Sequence, residues 1–372
     1  MTTPASPIEK SDNSLVQAGL RRLWQAVSVP LLSVALALGI GALILLFSGA
    51  NPLNAYAALL AGAFGSAEAF ARTLEKATPL ILGGLAVAFA FKAGLFNIGG
   101  QGQLLIGGIV AAYLGFAIEG LPFIIHMPLA LLGGSLAGAA YAAIAGALRA
   151  YTGAHEVITT IMLNFIAINI TDYLADGPWK DEGIIARTPL VLETAAIPKI
   201  GGFPLGFLIA CLMAVLTYYL LYRTTIGYAV RTTGLNANAA QYAGIKVAQI
   251  IVLAMAFSGF LAGMGGAIET LGVVGRYQPG FNIGLGFDGI TIALLAKTNP
   301  LGVIPAAILV GAMQAGASQM QFNAGVRFQI IDIILALILF FVSADMIVRK
   351  ILGSGAVDGE KVTLSGGWGG QS

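Results

Sequence analysis

Charge and cysteine are both scarce in this sequence. Asp, Glu, Lys and Arg make up 10% of the 372 residues, where a soluble domain carries about 25%. That shortfall removes the polar surface a water-facing globule needs. The one cysteine, Cys211, excludes an internal disulfide and any cysteine metal cluster. The two histidines, His126 and His155, have no catalytic neighbour in the sequence. The chain also lacks a G-x-x-x-x-G-K-[ST] loop, so it does not bind ATP in the P-loop manner. With a net charge of +2 and no Lys/Arg-rich patch, it lacks the footprint of a nucleic-acid binder.

Apolar residues are present instead, at 58% of the chain, giving a mean hydropathy of +0.87. They come in long runs. Pro30 to Phe47 and Leu205 to Tyr222 contain no charge, and uncharged runs of about 18 residues or more read as membrane-spanning helices. The expected fold is therefore an all-α membrane protein. Its spans are placed at 25–47, 78–92, 95–117, 128–148, 156–174, 204–222, 249–271, 282–297, 300–319 and 328–347, about ten transmembrane helices. Two of them, 78–92 and 282–297, are short, as tilted, broken or re-entrant segments would be. Gly is abundant, at 50 residues. In lipid, small residues let helix backbones approach closely, and Gly134-x-x-x-Gly138 and Gly259-x-x-x-Gly263 have the spacing for it.

Basic residues set the orientation. With the N-terminus inside, twelve Lys and Arg fall on the cytoplasmic side and seven on the outer side, the chain's 19 in all. Both termini are thus expected in the cytoplasm. Residues 1–23 form a polar tail without the apolar core or cleavage site of a signal peptide, so the first span reads as an uncleaved anchor. The transmembrane domain occupies 24–350, and 351–372 is a Gly/Ser-rich disordered tail. On this topology, 48–77 and 175–203 are the long outer segments. The second carries Pro178, Trp179, Pro189 and Pro198, and is placed to cap the outer mouth or touch a delivery protein.

One string occurs twice. Phe96-Asn97-Ile98-Gly99 opens the third span and Phe281-Asn282-Ile283-Gly284 opens the eighth. The two spans run in opposite directions, as an inverted internal repeat of spans 2–5 and 7–10 predicts. Irregular backbone at membrane depth needs protein or water partners, so these stretches point to a solvated centre. Candidate path residues are Asn97, Gln101, Gln103 and Asn282 as hydrogen-bonding groups. Phe96, Phe281 and Phe287 are the apolar walls, with Asp288 beside them. Close helix packing alone is the competing reading of the glycines. Glu156, Thr160 and Asn164 follow at i, i+4 and i+8 on one helix face, which adds Asn164 to the path, or to interhelical hydrogen bonding. Glu269, Asp288, Asp332 and Asp345 lie near span ends and form no proton relay.

The longest cytoplasmic loop, 223–247, reads as a short helix outside the membrane. Gly234 turns the chain, Asn236 caps the helix and Gly244 ends it.

These residues carry a family likeness. The loop resembles the coupling segment of ABC importer permeases, T-x-x-G-x-x-x-R-x-x-G-x-N-x-x-A-A-x-x-x-G-I. Thr224, Gly227, Arg231, Gly234, Asn236, Ala239, Ala240, Gly244 and Ile245 fill that pattern. Gly94-Leu-Phe-Asn-Ile-Gly-Gly-Gln-Gly-Gln103 is similar to the signature of the nucleoside or "simple sugar" branch of the branched-chain amino acid and ribose-type permeases. So are Glu156-Val-Ile-Thr-Thr-Ile-Met-Leu-Asn164, Phe287-Asp-Gly289 and Asn299-Pro-Leu-Gly302. The resemblance implies a type II ABC importer-like fold in a bacterial plasma (inner) membrane, not an enzyme in itself. It also implies an ABC ATPase subunit that uses ATP and Mg, a second permease subunit, identical or homologous, and an extracytoplasmic solute-binding lipoprotein. No cofactor is expected on this chain. The alternative is an ion- or proton-coupled secondary transporter of a small polar solute.

Overall fold

A computed structural model describes residues 32, 34–280 and 284–343. The predicted tails 1–23 and 351–372, and the candidates Phe281 and Asn282, lie outside the described residues. Most of what is described is helix: α1 (Val34–Phe47), α2 (Pro52–Phe64), α3 (Ala67–Lys92), α4 (Gly100–Ala117), α5 (Phe123–Ala147), α6 (Glu156–Asp176), α7 (Leu205–Arg223), α8 (Thr225–Leu235), α9 (Ala237–Tyr242), α10 (Val247–Glu269), α11 (Leu285–Leu295), α12 (Pro300–Ala324) and α13 (Phe328–Ser343). α5 and α10 each end in a π-helical turn, Leu148–Thr152 and Thr270–Val274, closed by a left-handed glycine, Gly153 or Gly275. Among the described residues, 7 helices are long and apolar enough to cross a membrane, and a bent pair, α1 with α2, would make an eighth.

Several span boundaries move. The predicted outer segment 48–77 is largely helical, and the predicted short span 78–92 is the second part of a 26-residue helix. Ser66 starts that helix by accepting a hydrogen bond from the Ala69 amide, and Glu68 in the first turn suits the positive end of the helix dipole. Arg72, Glu75 and Lys76, within the predicted segment 48–77, lie on this helix. The third span begins at Gly100, not at 95. The loop 223–247 holds two helices rather than one. α11 has 11 residues, a length of about 16 Å, well short of the roughly 30 Å hydrocarbon layer.

The described residues divide into two compact units. In the first, the Tyr56 hydroxyl donates to the Leu38 carbonyl of α1 at 2.7 Å. The second, Ala57–Met320 with a C-terminal stretch outside the described residues, holds the bundle. α10 packs against α5, α4 and α3, while α3 packs against α11 and α7.

Lipid offers little hydrophobic drive for helices to associate, so backbone approach and dispersion have to hold the bundle. Glycines provide that contact here. A Cβ on Gly138 would lie 2.5 Å from the Gly259 carbonyl oxygen and 2.7 Å from the Gly263 Cα. One on Gly134 would lie 2.5 Å from the Gly107 carbonyl oxygen. Gly107 in turn abuts the Gly263 backbone, and Gly266 abuts Leu104. α4, α5 and α10 therefore meet at their main chains.

Segment 177–204 is fastened to the bundle rather than loose. The amides of Thr188, Val191, Leu192 and Ile197 donate to the carbonyls of Tyr277, Gly275, Gly115 and Leu271. Trp179 stacks on Tyr113 with ring centroids 4.4 Å apart. Asp181 faces Arg187 and Arg276, each at 3.5 Å, and a short hairpin, β1 (Lys199–Ile200) with β2 (Phe203–Pro204), closes the segment. Burial, opposed by a hydrogen bond with Thr171 and aided by the nearby Asp172 charge, holds the Tyr277 phenol well above its ordinary pKa.

Gly138→Ala should destabilise the chain by about 1–3 kcal/mol, because the added methyl meets backbone that cannot turn aside. Gly39→Ala, with nothing within 4 Å of the new methyl, is the neutral comparison. Thermal unfolding of the detergent-solubilised chain would separate the two, and equal midpoints would refute the crossing.

Candidate functional site

α3 stops at Lys92 through a Schellman turn. The Gly94 amide donates to the Phe91 carbonyl, and the Leu95 amide to the Ala90 carbonyl. Gly94 takes φ +73°, where glycine carries no Cβ penalty. Residues 95–98 then run without regular structure until α4 begins. This break lies within the bundle, so its polar groups need partners.

Asn97 supplies most of them. Its Nδ2 donates to Gln103 Oε1 at 2.9 Å and to Ser258 Oγ at 2.8 Å. Its Oδ1 accepts from the Gly99 amide at 2.9 Å and from Gln103 Nε2 at 3.0 Å. Ser258 passes its own hydrogen to the Ala86 carbonyl of α3 at 2.7 Å. Asn164 works from α6. It donates to the Ile98 carbonyl at 3.0 Å and accepts from the Gly102 amide, an otherwise orphaned donor in the first turn of α4, at 2.8 Å. Gln101 Oε1 accepts from the Gly286 amide at 2.9 Å, doing the same for α11.

The predicted path residues thus separate into two groups. Asn97, Gln101, Gln103 and Asn164 are at most 4% exposed and bind to other parts of this chain. Phe96 is half-buried against Phe91, ring centroids 4.9 Å apart. Phe287 is exposed. Asp288 accepts from Gln314 Nε2 at 3.2 Å. The polar face of α6 is real in space. Glu156, Thr160 and Asn164 are all buried, and Glu156 pairs with Arg149 at 3.2 Å.

The predicted coupling residues lie on α8, α9, the cap between them and the turn after α9, and one of them, Gly234, meets the C-terminal end of α3. Thr224 caps α8 by accepting from the Gly227 amide at 3.1 Å, and Gly227 fits against the Leu220 and Leu221 carbonyls at the end of α7. Gly234 does not turn the chain. It lies inside α8 and abuts the backbone of Lys92, Ala93 and Gly94, where a Cβ would fall 2.8 Å from the Gly94 nitrogen. Asn236 caps α9 by accepting from the Ala239 amide at 3.0 Å, and Gly244, at φ +82°, closes it. The Arg231 guanidinium lies over the Tyr222 ring, 5.1 Å from its centroid. Ala239 is exposed, whereas Ala240 is fully buried in its own chain. Leu235 and Tyr242 were not singled out from the sequence, yet they are 75% and 94% exposed. Exposed large apolar side chains on a helical spur were the signal available. Among the described residues, no group of three or more His, Cys, Asp or Glu could hold a metal ion.

Residues 69–344 match the family model described as "Branched-chain amino acid transport system / permease component". The chain belongs to this family of permeases. Among its relatives, the guanosine ABC transporter permease protein NupP of Bacillus subtilis is 40% identical over 336 residues, covering 87% of this chain and 95% of the relative. The nucleoside ABC transporter permease protein NupB of Lactococcus lactis is 33% identical, over 88% and 93% of the two chains. The glucose ABC transporter permease protein TsgB13 of Haloferax volcanii is 32% identical, over 89% and 90%.

Asn97→Leu should orphan the Gly99 amide and both polar atoms of the Gln103 side chain, at about 1–3 kcal/mol for each buried group left unpaired. Phe287→Ala, at an exposed position, should leave stability near the parental value. Thermal unfolding in detergent would test the pair. A parental midpoint for Asn97→Leu would remove Asn97 from its role as the hub of the break.

Proposed function

We propose that this chain is the membrane-spanning permease subunit of an ATP-driven importer for nucleosides or a related simple sugar. The observation that carries this reading is the seating of α8 on the α3–α4 break. Gly234 touches Lys92 to Gly94, and the break continues directly into the Asn97 network. α8, which packs on α7, α10 and α3, is thereby in contact with the turn that opens the irregular backbone between α3 and α4. The nucleoside preference follows NupP and NupB, and TsgB13 keeps sugars in view.

In this reading α8 and α9 face the cytoplasm and dock on an ABC ATPase, with Leu235 and Tyr242 as exposed apolar contacts. The ATPase binds ATP and Mg, and this chain contributes no nucleotide site. Each conformational state of the ATPase would contact the spur differently, and only such differential contact shifts an inward–outward equilibrium. A solute-binding lipoprotein delivers from the other side, and a second permease, identical or homologous, completes the path. Both termini are cytoplasmic, in a bacterial plasma membrane, and about ten segments enter the membrane.

The inverted repeat keeps its support as well. The first helix of each half packs on the second helix of the other, α3 on α11 and α10 on α4. The two second helices meet at their starts, where Gln101 accepts from the Gly286 amide.

Cells expressing the chain with its ATPase should take up radiolabelled guanosine in an ATP-dependent manner. Uptake that persists without the ATPase and collapses with the proton gradient would instead favour the ion- or proton-coupled carrier. Ala239→Trp enlarges an exposed position, so the chain should still fold and assemble. Hydrolysis stimulated by loaded binding protein should nonetheless fall, together with uptake. Full stimulation in the assembled Ala239→Trp complex would remove the docking role from α9.

A further inference from the structure

A cavity of about 420 Å³ opens between α3, α10 and α12, within the roughly 300–1,000 Å³ typical of small-molecule sites. Its lining is strongly polar for so apolar a bundle. α3 contributes Arg72, Glu75 and Lys76, which share a face at i, i+3 and i+4. α10 contributes Glu269, its last residue, only 3% exposed. α12 contributes Gln314 and Gln319. Two of these groups are fixed from outside the cavity. Lys199 of the hairpin pairs with Glu75, and Gln314 donates to Asp288 at the start of α11.

Ionisable side chains in membrane helices are costly and mark solute pathways by default. Here they face one another. The two cations, Arg72 and Lys76, face two carboxylates, Glu269 and the Lys199-paired Glu75, so hydrogen-bond donors and acceptors of both charges stand side by side in the lining. Among the described residues no aromatic ring lines the cavity, so it offers no face for a base to stack on. What it offers is carboxylate acceptors beside guanidinium, ammonium and amide donors. A carboxylate accepts two hydroxyls at once, and charge-assisted hydrogen bonds are the stronger ones. This is the chemistry of a neutral vicinal diol.

We propose that this cavity holds the polyhydroxyl part of the solute in transit, with Glu269 and Gln314 as its main contacts. The inference rests on the importer reading above and specifies where within this chain the sugar ring is held. The base of a nucleoside would then be read elsewhere, and the cavity would select for sugar hydroxyls.

Two measurements on the assembled complex test it. The first is uptake of radiolabelled guanosine by proteoliposomes carrying Glu269→Gln or Gln314→Leu. Uptake should drop about tenfold or more, as loss of a buried charge-assisted hydrogen bond implies. ATP hydrolysis stimulated by loaded binding protein should persist in the isosteric Glu269→Gln complex. The second uses Ser318→Cys in a Cys211→Ala chain, since Ser318 is an exposed lining residue. Guanosine should protect the new thiol from a maleimide, and 2′,3′-dideoxyguanosine should not. Parental uptake in both variants, or no protection by guanosine where the parental complex transports it, would overturn the proposal. Absence of guanosine uptake by the parental complex would count against the nucleoside reading instead. Protection by ribose or glucose would then support the cavity assignment, and its absence would overturn it.

Discussion

Irregular backbone inside a helix bundle must find hydrogen-bond partners from side chains, because lipid supplies none. That constraint governs residues 94–99. Once α3 ends at the Gly94 turn, the chain has to re-enter a helix at Gly100 with its first amides unsatisfied. Asn97 and Asn164 provide donor and acceptor together from one amide side chain. Asn97 folds back on its own segment and reaches Ser258 of α10, 161 residues away in sequence. Ser258 in turn holds the Ala86 carbonyl of α3. One junction thus ties α3, α4, α6 and α10 together. In a low-dielectric interior such a network is strong when complete and costly when one member is missing.

The glycine contacts make the junction reachable. An amide side chain spans only a few ångströms, so Asn97 meets Ser258 only if α10 lies close to α3 and α4. That closeness comes from the bare backbones of Gly107, Gly134, Gly138, Gly259 and Gly263. The same device recurs at Gly286, which abuts Gly100 and Gln101, and at Gly234, which abuts Lys92 to Gly94. Small residues therefore do more than let helices pack. They bring the start of α4 against the start of α11, and α8 against the end of α3.

Much of this was legible from spacing. The four-residue glycine intervals marked two helices fit for close approach, though not that α5 and α10 meet each other. The spacing i, i+4, i+8 put Glu156, Thr160 and Asn164 on one face, and Asn236 and Gly244 bounded α9. Three things were not legible. Residues 48–77 read as an outer segment between spans, but Ser66 starts α3 at Ala67, so Arg72, Glu75 and Lys76 lie on the helix that the predicted span 78–92 continues. Gly234 read as a turn because its reason for being glycine, the backbone at 92–94, is remote in sequence. Asn97 and Gln103 read as solute contacts because an amide is the same residue type whether it binds a ligand or its own chain. Only their mutual distances and burial separate the two cases.

These features are joined by α3. Its N-terminal half carries Arg72, Glu75 and Lys76 into the polar cavity, and its C-terminal end meets Gly234 of α8. From Lys76 to Lys92 is about 24 Å along the helix axis. Between those ends α3 is continuous helix, with its middle buried from Ala77 to Ala90. An element packed on all sides does not bend in small increments, since well-packed interiors hold discrete arrangements rather than a continuum. If the ATPase displaces α8, the displacement therefore reaches α3 at the Gly94 turn, next to the Asn97 network that ties α3 to α4 and α10. The cavity end is held by the Lys199–Glu75 pair and by the α11 contact through Gln314. On the importer reading, then, the junction that meets α8 and the residues that line the cavity lie at opposite ends of one helix, so a push from the ATPase on α8 would be delivered to the element that also shapes the solute cavity.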